Sequence, residues 1–314
     1  MIGLLEQGGI LIYPYILLVF VILFFSGNIL VGKAINELPP FTIAFFRLVI
    51  AFFVILPVGL RGAWQYRNSY LQHKKPFLII TLTGITFFNT FIYGALQFTT
   101  STNVSVFETV IPVATVIMSA FVLKERLASI QWTGIVLSLI GALWVVMDGK
   151  ILQLAAMEWN IGDAIMIGAI LTWAVYSIMV KQYMHLFPTY GTLLVMTGIS
   201  VVVLLPIVAT EWIIVGVPSL NLSNMSGLLY LGVFPSFIAL SMYNRAVELT
   251  SASKASVFLN FLPVVTMIGA YFWLGESITV MQISGALAVI AGVILTTQFG
   301  RREQNMEKAI NQEK

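Results

Sequence analysis

Apolar residues run in long blocks along the 314-residue chain, broken by short polar intervals. A helix needs roughly 20 such residues to cross the hydrocarbon of a bilayer. Ten blocks reach that length, at 14–35, 41–60, 76–96, 103–123, 129–147, 161–182, 189–209, 226–246, 254–274 and 279–298. The pattern therefore predicts an all-α, polytopic membrane protein with ten transmembrane helices. The longest interval between blocks, Arg61 to Lys75, reads as a loop, and none could bury a soluble catalytic or nucleotide-binding domain.

The second half of the pattern repeats the first. Ala95 to Trp144 recurs without a gap, 151 positions later, as Ala246 to Leu295. "TSTNVSVFETVIPVAT" from Thr100 lies over "SASKASVFLNFLPVVT" from Ser251, and Glu125, Gln131, Gly134 and Gly141 lie over Glu276, Gln282, Gly285 and Gly292. The front of each copy matches more weakly, through Lys33 with Lys181, Pro40 with Pro188 and Pro57 with Pro206. Five spans per copy is an odd number, so the second copy enters the membrane from the opposite face. The expected organisation is two inverted five-helix repeats, 1–150 and 151–298, and a tail, 299–314. Internal repeats of this kind mark secondary transporters, whose sites lie between the halves near the bilayer midplane.

Composition agrees and adds an orientation. The chain is 59% hydrophobic and 9% charged, where a soluble domain has about a quarter of its residues charged. Its net charge of +3 calls for no nucleic-acid partner, because Lys and Arg gather in cytoplasmic loops of membrane proteins. With the amino terminus inside, thirteen of the cations fall on the cytoplasmic side, Lys33 and Lys150 fall outside and Arg47 lies within a span. The expectation is a multi-pass protein of the cytoplasmic membrane with both termini inside and its first span retained. "LKERL" from Leu123 carries two cations and its copy "LGESI" from Leu274 none, as opposite orientation of the repeats requires.

An ionised side chain at membrane depth costs about 2.5–3.5 kcal/mol even on insertion scales, which singles out two residues. Arg47 lies six residues into the second span and Glu108 five into the fourth, so both sit about 8–9 Å below the external face at 1.5 Å per residue. They are read either as a permanent ion pair orienting two helices or as a clamp, with Arg47 for a substrate carboxylate and Glu108 for an ammonium. Their repeat counterparts are Val195 and Leu259, so the architecture does not demand the pair. Asn28 and Asn89, at similar depth, complete a candidate outer polar ring. Ser105, Glu108, Thr109 and Pro112 share one helical face, and the copy keeps Ser256, Asn260 and Pro263. With Tyr176 and Tyr243, Asn260 forms a candidate inner cluster, and Trp173 a candidate cavity wall. The rival readings are helix packing for the asparagines and Trp173, and an interfacial belt for the tyrosines. Pro112 and Pro263 are candidate hinges or static bends.

Gly134, Ser138 and Ala142 in the fifth span, and Ser284, Ala288 and Gly292 in the tenth, form small-residue ladders. They suit packing within the bundle or a homodimer through helices 5 and 10. Other signals fail. "GNILVGKA" from Gly27 puts Ala34 where a phosphate loop needs Ser or Thr, and His73 and His185 have no clustered acids to make a metal site. Cysteine is absent, no hydrolase triad can be drawn, and no cofactor is implied.

Ten helices in two inverted halves, with "SVFETVIPV" and "SVFLNFLPV" followed by "KERL" and "GESI", resemble the EamA family of the drug/metabolite transporter superfamily over nearly the whole chain. The resemblance implies a basket of helices 1–4 and 6–9 around a central cavity, with helices 5 and 10 outside it. It also implies movement of small metabolites such as amino acids, often outward. The reading is a secondary transporter, not an enzyme, that moves a small organic solute by alternating access without ATP, in contact with the lipid bilayer. Proton coupling is assigned to Glu108 as candidate, since a desolvated carboxyl can exchange a proton, a role that competes with pairing to Arg47. The alternative is an integral membrane enzyme acting on lipid or lipid-linked substrates. An accessory or sensor subunit and an open pore are weaker rivals.

Overall fold

The computed structural model describes residues 2–299 except 36, 96, 100, 126, 157–159 and 276. The tail beyond Phe299, Arg126 and Glu276 thus lie outside the described residues. Ten helices among those described are long and apolar enough to cross a membrane: α1 (Ile12–Gly32), α2 (Pro40–Gln65), α3 (Lys74–Ala95), α4 (Val104–Val122), α5 (Ser129–Val146), α6 (Ile161–Leu186), α7 (Thr189–Val215), α8 (Leu222–Leu249), α9 (Ala252–Trp273) and α10 (Val280–Thr297). Each expected span falls on one of them, and the described elements are all helical.

Local chemistry starts several of these helices. The side chains of Asn160, Asn221, Ser251 and Thr279 each accept a backbone N–H three residues on, opening α6, α8, α9 and α10, as N-caps do. The α2 helix opens on Pro39–Pro40 without a cap of its own. Its free N–H groups go instead to Glu211 of α7, which accepts from Phe41 N at 3.0 Å and from Thr42 N and Oγ1 at 2.7 Å each. At the other end of the bundle, Lys181 Nζ donates to the Glu248 and Thr250 carbonyls, both at 2.7 Å. That places a cation at the C-terminus of α8, where the helix dipole favours it.

The expected loop from Arg61 to Lys75 is helical instead. The α2 helix continues to Gln65 and a short helix covers Arg67–Gln72. Its Tyr70 is buried against Phe77 and Phe187 and meets Thr192 of α7 through its hydroxyl. Burial pushes the Tyr70 phenol up, so it stays a protonated partner. Polar composition disguised a segment held down by two aromatic anchors.

Contacts between spans follow a rule. The α2 helix packs along α7, α5 along α10 and α4 against α9; α4 and α3 touch α6 as α9 and α8 touch α1; and α2 meets α8 as α7 meets α3. Exchanging each helix for the one five later returns these same pairs, whereas the contacts of α6 with α8 and α9, and of α5 with α9, have no equal in the other half among the described residues. In the α2–α7 seam, Gly59 sits under Tyr190 O and Gly191 under the backbone of Gly62 and Ala63. In the α5–α10 seam, Gly141 faces Gly285 O and Val289 N, and Gly134 faces Gly292 O.

The small-residue ladders are therefore packed against each other within one chain. One rung differs from the expectation: Ser284 points outward and Gly285 takes the contact. The two prolines also differ. A single α-helix, Ser101–Val122, runs through Pro112, whereas α9 is interrupted by a 3-10 turn at Leu259–Phe261 just before Pro263. Two further helices depart from α geometry near their middles, with π turns at Thr81–Phe87 in α3 and Phe234–Ala239 in α8.

Candidate substrate site

Arg47 is buried in the bundle, only 4% exposed. Its Nε donates to Ser236 Oγ at 2.9 Å, and its Nη1 to Tyr93 OH at 2.9 Å and Asn89 Oδ1 at 3.4 Å. These acceptors come from α8 and α3, and all are uncharged. No carboxylate among the described residues lies within ion-pair distance of it. A buried cation without a counter-charge is costly, and the network offsets that only in part.

Glu108 is the complementary case. It is half-buried and makes no hydrogen bond or ion pair among the described residues. The permanent Arg47–Glu108 pair, one of the two readings drawn from depth, is therefore not formed. Equal depth did not make them neighbours, because Arg47 turns towards α3 and α8. Asn89 joins Arg47 as the expected ring requires. Asn28 does not; its Oδ1 is buried without a hydrogen-bond partner. The Thr109 hydroxyl donates to Val106 O in its own helix, at 2.7 Å, so that proton is committed locally.

The inner residues assemble tightly, with one exception. Tyr176 and Tyr243 are fully buried, stacked with ring centroids 6.5 Å apart, and Trp173 lies 5.2 Å from each. Tyr176 donates its hydroxyl hydrogen to Asn244 Oδ1, and Tyr243 shares a hydrogen bond with Ser177 Oγ at 2.8 Å. Phe88 closes the box at 4.4 Å from Trp173. These tyrosines form no interfacial belt. Asn260 is not part of their hydrogen bonding: its Nδ2 donates to Ser138 Oγ of α5 at 2.9 Å. The 3-10 turn at this point breaks the α-helical spacing that had aligned it with Ser256.

The middle of α3 and the half that follows it differ in cover. Gly84, Ile85 and Thr86 are buried, whereas Phe87 to Gly94 are all half-buried. Around Arg47, Asn89 and Glu108 the α3 residues are half-buried, and around the tyrosines they are buried. An apolar groove of about 490 Å³ lined by Ile12, Tyr15, Val19, Phe258 and Val265 is formed by α1, α9 and α10 and includes none of these polar residues.

Sequence reasoning missed Tyr93, Ser236, Asn244 and Glu211. Tyr93 lies four residues after Asn89 and so shares its helix face, a signal that was available. Ser236 carried none, since a lone serine in an apolar span ordinarily bonds back to its own helix.

The model of the EamA-like transporter family matches residues 12–147 and again 160–298. An uncharacterized transporter of Bacillus subtilis (strain 168), YyaM, is 26% identical over 289 residues, covering 89% of this chain and 92% of that protein. An uncharacterized transporter of Clostridium kluyveri is 22% identical over 95% of this chain and 97% of its own. One of Archaeoglobus fulgidus is 25% identical over 90% and 96%. A solved crystal structure shares the fold at a TM-score of 0.76, with 18% identity, over 92% of this chain and 98% of the other.

Proposed function

Because the chain belongs to the EamA-like transporter family, we propose that it is a secondary transporter that carries a small organic solute through the membrane by alternating access, without ATP. Family and relatives point to a transporter and away from an enzyme. The observation that carries the solute reading is Arg47, a buried cation held by neutral groups alone. A solute carboxylate completes its charge. Glu108, ionisable and unpartnered, is the candidate for a solute ammonium, so an amino acid or related metabolite fits best.

The helix pairs that recur under the five-helix exchange support two halves of inverted orientation, since consecutive spans alternate in direction and helices five apart run oppositely. With both termini in the cytoplasm of the cell, as the cation distribution supports, the tyrosine box lies inside and the Arg47 region outside. The box then acts as the cytoplasmic gate. Export is the assigned direction. Glu108 is free of Arg47 and so available for proton coupling.

Flux of radiolabelled amino acids and organic acids into and out of liposomes containing the purified protein tests this. Transport of a zwitterionic solute that is lost in Arg47→Ala and altered in its pH profile in Glu108→Gln is the expected result. Flux of a solute with equal rates in wild type and Arg47→Ala removes Arg47 from the path. An unchanged pH profile in Glu108→Gln ends the assignment of coupling to that residue.

A further inference from the structure

The π turns of α3 and α8 occupy corresponding places in the two halves: a shift of 151 carries 81–87 onto 232–238, beside the observed 234–239. Such turns disturb the usual helical hydrogen bonding and are frequent at functional sites. In α8 the Ser236 hydroxyl donates to Leu231 O, five residues back, at 2.7 Å. With its proton so placed, only its lone pairs remain, and one accepts from Arg47 Nε of the other half. In α3 the Thr86 hydroxyl lies 3.4 Å from Thr81 O and 2.7 Å from Ser200 Oγ of α7. Each π turn thus offers a hydroxyl to a helix of the opposite half. One meets a serine and the other a buried cation.

We propose that Ser236 is a positioning residue: by holding Arg47 Nε it aims the opposite edge of the guanidinium at a carboxylate or comparable oxyanion on the solute, the solute being that of the transport reading above. A guanidinium presents five N–H donors in a fixed plane. Nη2 has no hydrogen bond among the described residues, and Nη1 serves the uncharged Asn89 and Tyr93. Charge-assisted bonds to a carboxylate are about twice as strong as neutral ones. An arriving oxyanion therefore takes the Nη1–Nη2 edge from Asn89 and Tyr93 and leaves Nε on Ser236. Loading removes the polar tie of Arg47 to α3 and keeps the one to α8, which gives occupancy a mechanical consequence on one helix.

The test needs no known solute. The chain has no cysteine, so Asn89→Cys places a single thiol beside Arg47. Its modification rates by sulfonatoethyl methanethiosulfonate, an anion, and by the cationic trimethylammonium-ethyl analogue are measured in detergent. The anion-to-cation rate ratio should exceed that of the same thiol in Arg47→Ala by at least about tenfold, because unit charges about 4 Å apart interact by about 1 kcal/mol even at the permittivity of water and the two reagents carry opposite signs. Ser236→Ala should bring the ratio most of the way down to the Arg47→Ala value, and Ser236→Thr should restore it, with unchanged melting temperatures showing that the fold is kept. A ratio equal in Ser236→Ala and wild type, or one that Ser236→Thr fails to restore, overturns the role of Ser236. A thiol that reacts with neither reagent also overturns it, because the site is then closed to ions. Absence of flux in liposomes would sink the transport reading and leave this measurement standing.

Discussion

Gly84 of α3 lies flat against the ring of Tyr176 of α6, so close that a methyl group at position 84 would overlap three of the ring carbons. This contact seats the tyrosine whose hydroxyl reaches Asn244 and whose ring stacks on Tyr243. Gly84→Ala must displace a side chain that has no free space around it. Overpacking of this kind typically costs about 1–3 kcal/mol. Thermal unfolding in detergent should show that loss for Gly84→Ala, and the double variant with Tyr176→Ala should lose less than the two single changes added. Additive losses would mean that the glycine serves some other contact.

The end of the α2–α7 seam where α2 begins rests on one carboxylate. Glu211 answers three donors at the start of α2, and Trp212 Nε1 donates to the same Thr42 hydroxyl at 2.9 Å. Glu211→Ala leaves two backbone N–H groups and a hydroxyl without their acceptor. A lost cap costs about 0.5–2 kcal/mol, and the anion at a helix N-terminus adds about 0.3–1 kcal/mol. The variant should unfold at lower temperature, and Glu211→Gln, which keeps an acceptor oxygen but no charge, should fall between. Equal melting of Glu211→Gln and Glu211→Ala would assign the whole effect to charge.

Much of this architecture was legible beforehand, and the reason is physical. A bilayer imposes length and apolarity on each span, so each of the ten blocks falls on one of the ten helices. Pairwise side-chain meetings were not legible. Arg47 and Glu108 share a depth, yet rotation about each helix axis decides what they face, and Arg47 faces Ser236. Glu211 was lost because its block was ended at residue 209, before the final turns of α7. Asn260 was misplaced because α spacing was carried through a turn that tightens to 3-10.

The α5–α10 seam predicts a contrast between two small residues about two helix turns apart on α10. A Cβ on Gly292 would lie 2.6 Å from Gly134 O and 2.8 Å from the Ser138 Cβ, whereas Ser284 is exposed. Gly292→Leu should therefore destabilise the single chain by at least about 3 kcal/mol, at the upper end of overpacking costs. Ser284→Leu should change stability by less than about 0.5 kcal/mol, the range for surface positions. Detergent unfolding of the two variants checks this. It also separates folding from assembly, because a homodimer through α5 and α10 must use the outward face of Ile283, Leu287, Ile290 and Ile294. Cross-linking of cysteines placed at Leu287 and Ile290 would report such a dimer, and its yield should not change in Ser284→Leu unless that residue borders the interface.

Proline has opposite consequences in α4 and α9. At Pro112 the α-helix is unbroken from Ser101 to Val122, so an alanine there only restores a missing N–H donor. At Pro263 the chain has already tightened into the 3-10 turn at Leu259–Phe261, and that turn holds Asn260 against Ser138. Pro263→Ala lets the α-helix run back through the turn, rotating Asn260 away from α5. Membrane hydrogen bonds of this type average about 0.6 kcal/mol, so the cost in stability is small and hydrogen exchange is the better gauge. Amides of residues 259–263 should become more protected in Pro263→Ala, those around residue 112 should hardly change in Pro112→Ala, and Asn260→Ala should remain as transport-competent as wild type. Loss of flux in Asn260→Ala with the fold intact would return that asparagine to the solute path.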